Sequence, residues 1–252
     1  METSIPVPPV VGPSRSYIAP WWHTALLLVF LLGFSAMGSA GHPGLDHSLR
    51  MKLYLSTIVM EWLMVLFILW GLKKNRQTTI AELVGGRWTS VESFLIDIVV
   101  AFGFWIVAAM VLAAIGLALG LANTAHLKDV EHRIGSLVPA TRGEMVTWVL
   151  LSATAGICEE IIYRGYLQRQ MSALLKSVWA GILLQGLIFG ASHAYEGWQT
   201  MVQIAAFGIL FGILANWRKS LRPGMMAHFM HDSAQGLLVP WALKHAAQAL
   251  PK

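Results

Sequence analysis

Three short runs in the second half of the chain hold residue types that hydrolytic chemistry uses. Cys158-Glu159-Glu160-Ile161-Ile162-Tyr163-Arg164 sets two adjacent carboxylates ahead of an arginine. Glu160 and Arg164 are four apart, so on a helix they share a face and can pair. Glu159 is turned about 100° from Glu160 on an ideal helix. Arg164 therefore does not claim it, and a carboxylate left free can serve as a general base. The second run, Phe189-Gly190-Ala191-Ser192-His193, ends an apolar stretch on a histidine. Ser192 has no base at local spacing and is not read as a nucleophile. The third run, His228-Phe229-Met230-His231-Asp232, places His228 and Asp232 four apart on one face.

Each run also has a plain structural reading. Glu160–Arg164 reads as a buried ion pair, His193 as an interfacial side chain, and His228–Asp232 as a hydrogen bond locking two helices. The joint pattern is harder to assign to packing. A Glu pair, a His 34 residues on, and a second His 35 further each sit in a separate apolar segment. Ionisable groups in lipid cost roughly 2.5–3.5 kcal/mol each on insertion scales, so they turn toward the protein interior or a wet cavity. Other polar residues carry less. Glu196 and Trp198 follow the second run and read as a solvated carboxylate and an interface anchor, or as the edge of a substrate entrance. Cys158 reads as a small buried apolar residue. Asp97 lies early in an apolar run. Glu61 reads either as a helix-packing hydrogen bonder or as part of a cavity wall.

The elements that must position these residues are set by composition. Of 252 residues, 56% are hydrophobic and 12% charged; mean hydropathy is +0.60. Soluble domains carry about 25% charged residues, so this chain lacks the polar surface to keep a compact body in water. One cysteine excludes a disulfide scaffold. The expected fold is an all-α polytopic membrane protein: a bundle of about seven transmembrane helices, within a range of six to eight, around an intramembrane polar cavity. The net charge of +5 is read as topology rather than nucleic-acid binding, because the basic residues lie mostly between apolar runs.

Spans are expected at 21–40, 53–72, 92–120, 144–170, 177–193, 199–216 and 224–241. The basic linker after the second span has the makings of a short interfacial helix. By region, 1–18 is a Pro-rich disordered tail, 19–143 holds the first helices and linkers, 144–241 is the catalytic core, and 242–252 is a tail. Counting Lys and Arg in the loops leans the amino-terminal side toward the cytoplasm, ten against seven. Gly116-x-x-x-Gly120, Gly186-x-x-x-Gly190 and Gly208-x-x-x-Gly212 let helix backbones approach closely.

The three runs resemble the signature of the CPBP family of CAAX-processing type II prenyl endopeptidases, abortive-infection-like and bacteriocin-processing proteins. That signature is E-E-x-x-x-R, then F-x-x-x-H, then H-x-x-x-[N/D]. Here it reads Glu159-Glu160 with Arg164, Phe189 with His193, and His228 with Asp232. The resemblance covers about 144–241. It implies an all-helical intramembrane endopeptidase in which Glu159 activates water with help from His193. His228 and Asp232 would stabilise the oxyanion, and Glu160 and Arg164 would fix the motif helix. Asp232 departs from the Asn alternative, since an ionised Asp accepts but does not donate; it would either be protonated in the cavity or hold His228 in the donating tautomer.

The function expected is hydrolysis of a peptide bond in a membrane-associated protein or peptide, with a CAAX-like or leader-peptide substrate. The favoured mechanism needs no cofactor. A zinc site on His193, His228 and Glu159 is the rival, although no H-E-x-x-H helix occurs. The alternative function is a non-catalytic immunity or scaffold protein of the same fold. A proton-coupled carrier is weaker, because the ionisable runs all fall in one half of the chain. The expected location is a prokaryotic inner membrane, with the bilayer and a membrane-borne substrate as partners and no nucleic acid.

Overall fold

A computed structural model describes residues 17–38, 46–75, 78–120 and 137–249. The elements are α1 (Trp21–Gly38), α2 (His47–Asn75), a short α3 (Ile80–Val84), α4 (Val91–Ala118) and α5 (Arg142–Glu159). A π-helical stretch (Glu160–Leu167) then leads straight into α6 (Gln168–Leu175). After it come α7 (Val178–Ala191), a 3-10 turn (Ala194–Glu196), α8 (Trp198–Arg218) and α9 (Arg222–Ala249). His47–Lys74, Val91–Ala118, Arg142–Leu175 and Trp198–Arg218 are long and apolar enough to cross a membrane; Trp21–Ala36 and Val178–Ala191 are shorter apolar helices. The protein is an all-α, multi-pass membrane bundle. Val29, Val99 and Leu117 point outward, as lipid-facing side chains do.

The helices differ from the hydropathy reading at their ends, for identifiable reasons. The second begins at His47 rather than 53 because Glu144 on α5 draws its first turn in. The Glu144 carboxylate accepts from His47 Nδ1 and Arg50 Nε, each at 2.8 Å. The fourth runs on to Leu175 through the π-helical stretch. The last continues to Ala249, past the boundary expected at 241. The expected amino-terminal tail lies outside the described residues except for Tyr17 and Ile18. Ile18 is buried, and its N–H donates to Gln170 Oε1 at 2.9 Å, so it belongs to the folded body. Residues 121–136 and 250–252 also lie outside the described residues.

Local sequence explains most starts. Thr79 with Glu82 and Thr141 with Glu144 form capping boxes at α3 and α5, and Ser90 with Ser93 forms one at α4. Such a cap is worth about 1 kcal/mol. Gly85 closes α3 at φ +96°, and a Cβ there would stand 2.5 Å from Ser220 Cα. That glycine lets the α3 turn lie against the α8–α9 turn.

Three packing contacts place the site. First, α5 and α9 run antiparallel: Trp148 Nε1 donates to Asp232 O at 2.9 Å near one end, and Glu160 lies beside Gly224 near the other. Between them, a Cβ on Gly156 would stand 2.8 Å from Met225 O. The two backbones therefore touch one turn away from Glu159 and His228. Second, α2 lies along α5, tied by Glu144 at one end and by the Tyr54–Trp148 ring contact at 5.4 Å. Third, α1 is held to the π-helical stretch through His23. His23 contacts Tyr166 Oη at 2.7 Å and Phe67 O at 2.8 Å, and stacks on the Phe67 ring.

At one end of the bundle, Asp97 near the start of α4 accepts from Trp88 Nε1 and Arg218 and pairs with Arg222 Nε at 3.0 Å. Asp97, early in the third expected span, is thus a buried ion-pair hub joining α4 to the α8–α9 turn.

Candidate active site

Glu160 and Arg164 sit in the π-helical stretch. Bonding to the fifth residue widens the turn, so side chains four apart face nearly the same direction. Arg164 Nη1 lies 3.0 Å from Glu160 Oε1, with both side chains fully buried. The contact is an ion pair without hydrogen-bond alignment, and no guanidinium nitrogen has a hydrogen-bond partner. The cation is enclosed instead by aromatic faces: Phe189 at 4.5 Å and Phe211 at 5.2 Å. Cation–π contact of this kind is worth most when the cation is desolvated.

His228 on α9 is the hub of the cluster. Its Nδ1 bonds Glu160 Oε1 at 3.0 Å. Its Nε2 faces Glu159 Oε2 at 3.6 Å and Asp232 Oδ2 at 3.7 Å. Those two distances are too long for direct hydrogen bonds and suit a bridging oxygen. The His228 side chain is 4% exposed, Glu159 16% and Asp232 28%. The cluster is therefore closed behind Glu160 and opens past Glu159 and Asp232. Phe207 and Phe211, one turn apart on α8, hold the His228 ring at centroid distances of 5.2 and 5.5 Å. Gly224 gives Glu160 its room, since a Cβ there would stand 3.1 Å from Glu160 Oε2.

His193 follows the end of α7. Its Nδ1 lies 2.9 Å from Phe189 O. A carbonyl only accepts, so Nδ1 carries the hydrogen and Nε2 keeps its lone pair when the ring is neutral. Ser192 Oγ donates to Phe189 O at 2.8 Å and accepts from Tyr163 Oη, also at 2.8 Å. Ser192 therefore serves this turn, which fits its not being read as a nucleophile. The Phe189 ring touches His193 at 4.9 Å and His228 at 6.3 Å, so one aromatic ring separates the two imidazoles. Among the described residues no hydrogen bond or ion pair joins His193 to Glu159.

The 3-10 turn after His193 adds Tyr195 and Glu196, which are half-buried rather than solvated. Burial pushes the Glu196 carboxyl above the ordinary carboxylate range; His193 and the Tyr195 hydroxyl oppose that shift, and Glu159 adds to it. His193 and Glu159 thus share an electrostatic environment with Glu196. His231 also packs on Phe207, at 4.7 Å between ring centroids, and its Nε2 meets Gln235 Nε2 at 2.6 Å.

The cluster brings Glu159, Glu160, Arg164, His228 and Asp232 into one linked group, with His193 behind Phe189. Sequence reasoning missed the aromatic cage and the Tyr163–Ser192 link. Phe207 and Phe211, at helical spacing beside Gly208 and Gly212, were the available signal for the cage. Among the described residues, no three or more His, Cys, Asp or Glu side chains are set to hold a metal ion. A zinc set of His193, His228 and Glu159 does not fit the residues as they stand.

Residues 141–234, which contain all three runs, match the model described as type II CAAX prenyl endopeptidase Rce1-like. The chain matches no curated protein and no solved structure.

Proposed function

We propose, from the match of residues 141–234 to the type II CAAX prenyl endopeptidase Rce1-like model, that the protein hydrolyses a peptide bond by glutamate-activated water. That family is a peptidase family, and a multi-pass membrane bundle gives it membrane-associated substrates. The observation that carries the reading is the position of His228. One ring nitrogen, Nδ1, meets Glu160 of the buried Glu160–Arg164 pair, and the other, Nε2, faces Glu159 and Asp232 at 3.6 and 3.7 Å.

A water held between Glu159 and the substrate carbonyl would lose a proton to the Glu159 carboxylate as its oxygen attacks the carbonyl carbon. Doubly protonated, His228 donates through Nδ1 to Glu160 and through Nε2 to the oxygen on which negative charge develops. A donor so placed is worth roughly 3–4 kcal/mol. Asp232 orients that Nε2–H as an acceptor, which answers the difficulty of an Asp in the oxyanion role. The lone pair on His193 Nε2 can take up and release the second proton in flight. When the C–N bond breaks, the proton held by Glu159 passes to the leaving amine nitrogen. Glu160 and Arg164 hold His228 in place and do not touch the substrate.

The substrate class is a CAAX-like tail or leader peptide of a membrane-associated protein, and the location is a prokaryotic inner membrane. The test compares membranes carrying wild type or Glu159→Gln at matched levels. Protein termini are mapped, and a farnesylated peptide ending in a CAAX box is assayed in parallel. New termini and peptide cleavage that appear with wild type alone are expected. Identical termini, with the variant still supporting a host phenotype, would instead favour a non-catalytic immunity or scaffold role.

A further inference from the structure

Glu61 stands near the middle of α2, outside the 141–234 domain, and the chemistry above does not use it. It is 5% exposed, and its Oε2 is buried without a hydrogen-bond partner. The charged groups that act on it are Glu159 and Asp232. Glu61 in turn acts on Cys158 and Tyr163. The carboxyl therefore reaches the cluster from the α2 side. None of those neighbours offers it a strong donor. The two carboxylates accept, the Cys158 thiol donates weakly, and the Tyr163 hydroxyl is engaged with Ser192. A helix-packing hydrogen bonder would have found a partner across the α2–α5 contact, so that reading of Glu61 fails.

A membrane-borne substrate brings the missing donor. Cleavage requires an extended peptide, and a segment unwound within a membrane exposes N–H groups that no water or helix satisfies. The cavity has to supply acceptors for them. Glu160 is taken by Arg164 and His228, Asp232 faces His228, Glu159 is needed for water, and Glu196 is engaged with Tyr195 and His193. Glu61 is the carboxyl left over.

We propose that Glu61 is a substrate-binding residue, whose carboxyl oxygen accepts a backbone N–H of the unwound peptide beside the scissile bond. The proposal rests on the endopeptidase reading and adds a contact from the half of the chain that carries no family motif.

The test uses the full-length protein in liposomes and the farnesylated CAAX peptide, with analogues in which each amide near the scissile bond is replaced in turn by an ester. An ester lacks the N–H. With wild type, one ester position should lower kcat/KM about threefold to tenfold, the range for a hydrogen bond between neutral groups. Glu61→Leu should lose about the same factor on the parent peptide, mainly in KM, and lose nothing further at that ester position. Glu61→Gln keeps an acceptor oxygen and should recover most of the loss. Fully additive losses, or wild-type kinetics in Glu61→Leu, would overturn the proposal. If Glu61→Leu does not fold, the ester series on wild type and Glu61→Gln still decides: an absence of any sensitive position overturns it. Cleavage that needs Glu159 but ignores Glu61 would sink this inference alone. Cleavage indifferent to Glu159→Gln would sink the endopeptidase reading as well.

Discussion

Replacing Arg164 with alanine tests the inner half of the cluster. Glu160 is fully buried, and its Oε1 is shared between Arg164 Nη1 and His228 Nδ1, each at 3.0 Å. Removing the guanidinium leaves a carboxylate sealed in an apolar setting with one imidazole for company. It also empties the space between Phe189 and Phe211. Breaking one half of a buried ion pair costs about 3–5 kcal/mol, whereas replacing both halves with neutral groups of similar volume is often neutral. Arg164→Ala should therefore lose about 3–5 kcal/mol in denaturant unfolding in detergent. The double variant Arg164→Met with Glu160→Gln should recover most of that stability. Cleavage should not recover, because the anionic partner of His228 Nδ1 is gone and the ring is no longer held as a donor. The assay pairs an unfolding curve with turnover of the farnesylated peptide on the same preparations. If Arg164→Ala is as stable as wild type, the ion pair is not what fixes this helix. If the double variant regains turnover along with stability, the anchoring role of Glu160 is wrong.

Other perturbations probe the frame. Gly156→Val inserts a side chain where even a Cβ would stand 2.8 Å from Met225 O. It should part α5 from α9 and abolish peptide cleavage while most helical circular dichroism survives; retained cleavage would refute the backbone contact. Glu196 ionises less readily folded than unfolded, because burial holds its carboxyl above the ordinary value of 4.5. The unfolded state releases this proton first as pH rises. The stability contribution is therefore full below the ordinary value and lost as pH climbs through the higher folded one. Unfolding curves for wild type should weaken over that window and those for Glu196→Gln should not; parallel curves would count against a buried Glu196.

The membrane class and the helical bundle follow from composition and hydropathy, because lipid leaves a spanning chain little choice but helices. The helix starts at Thr79, Ser90 and Thr141 follow from local caps that need no tertiary partner. The three polar runs were legible for a similar reason: Glu159, His193 and His228 are expensive where they stand, and together they signal an interior site. Residue spacing also gave the Glu160–Arg164 pairing, since four residues along a helix decide it. What lies on different helices was not legible. Hydropathy cannot say that α2 begins at His47, because Glu144, some ninety residues away, supplies the partner. Nor can it say that Phe207 and Phe211 cage His228, or that Gly156 and Gly224 are the glycines that admit α9. The plainest case is Glu61. Its sequence neighbours leave it equally suited to packing or to a cavity wall, and only the placement of α2 against Glu159 and Asp232, with no donor between them, separates the two. Local propensity and solvent preference act along the chain; a missing hydrogen-bond partner is a property of what the fold brings alongside.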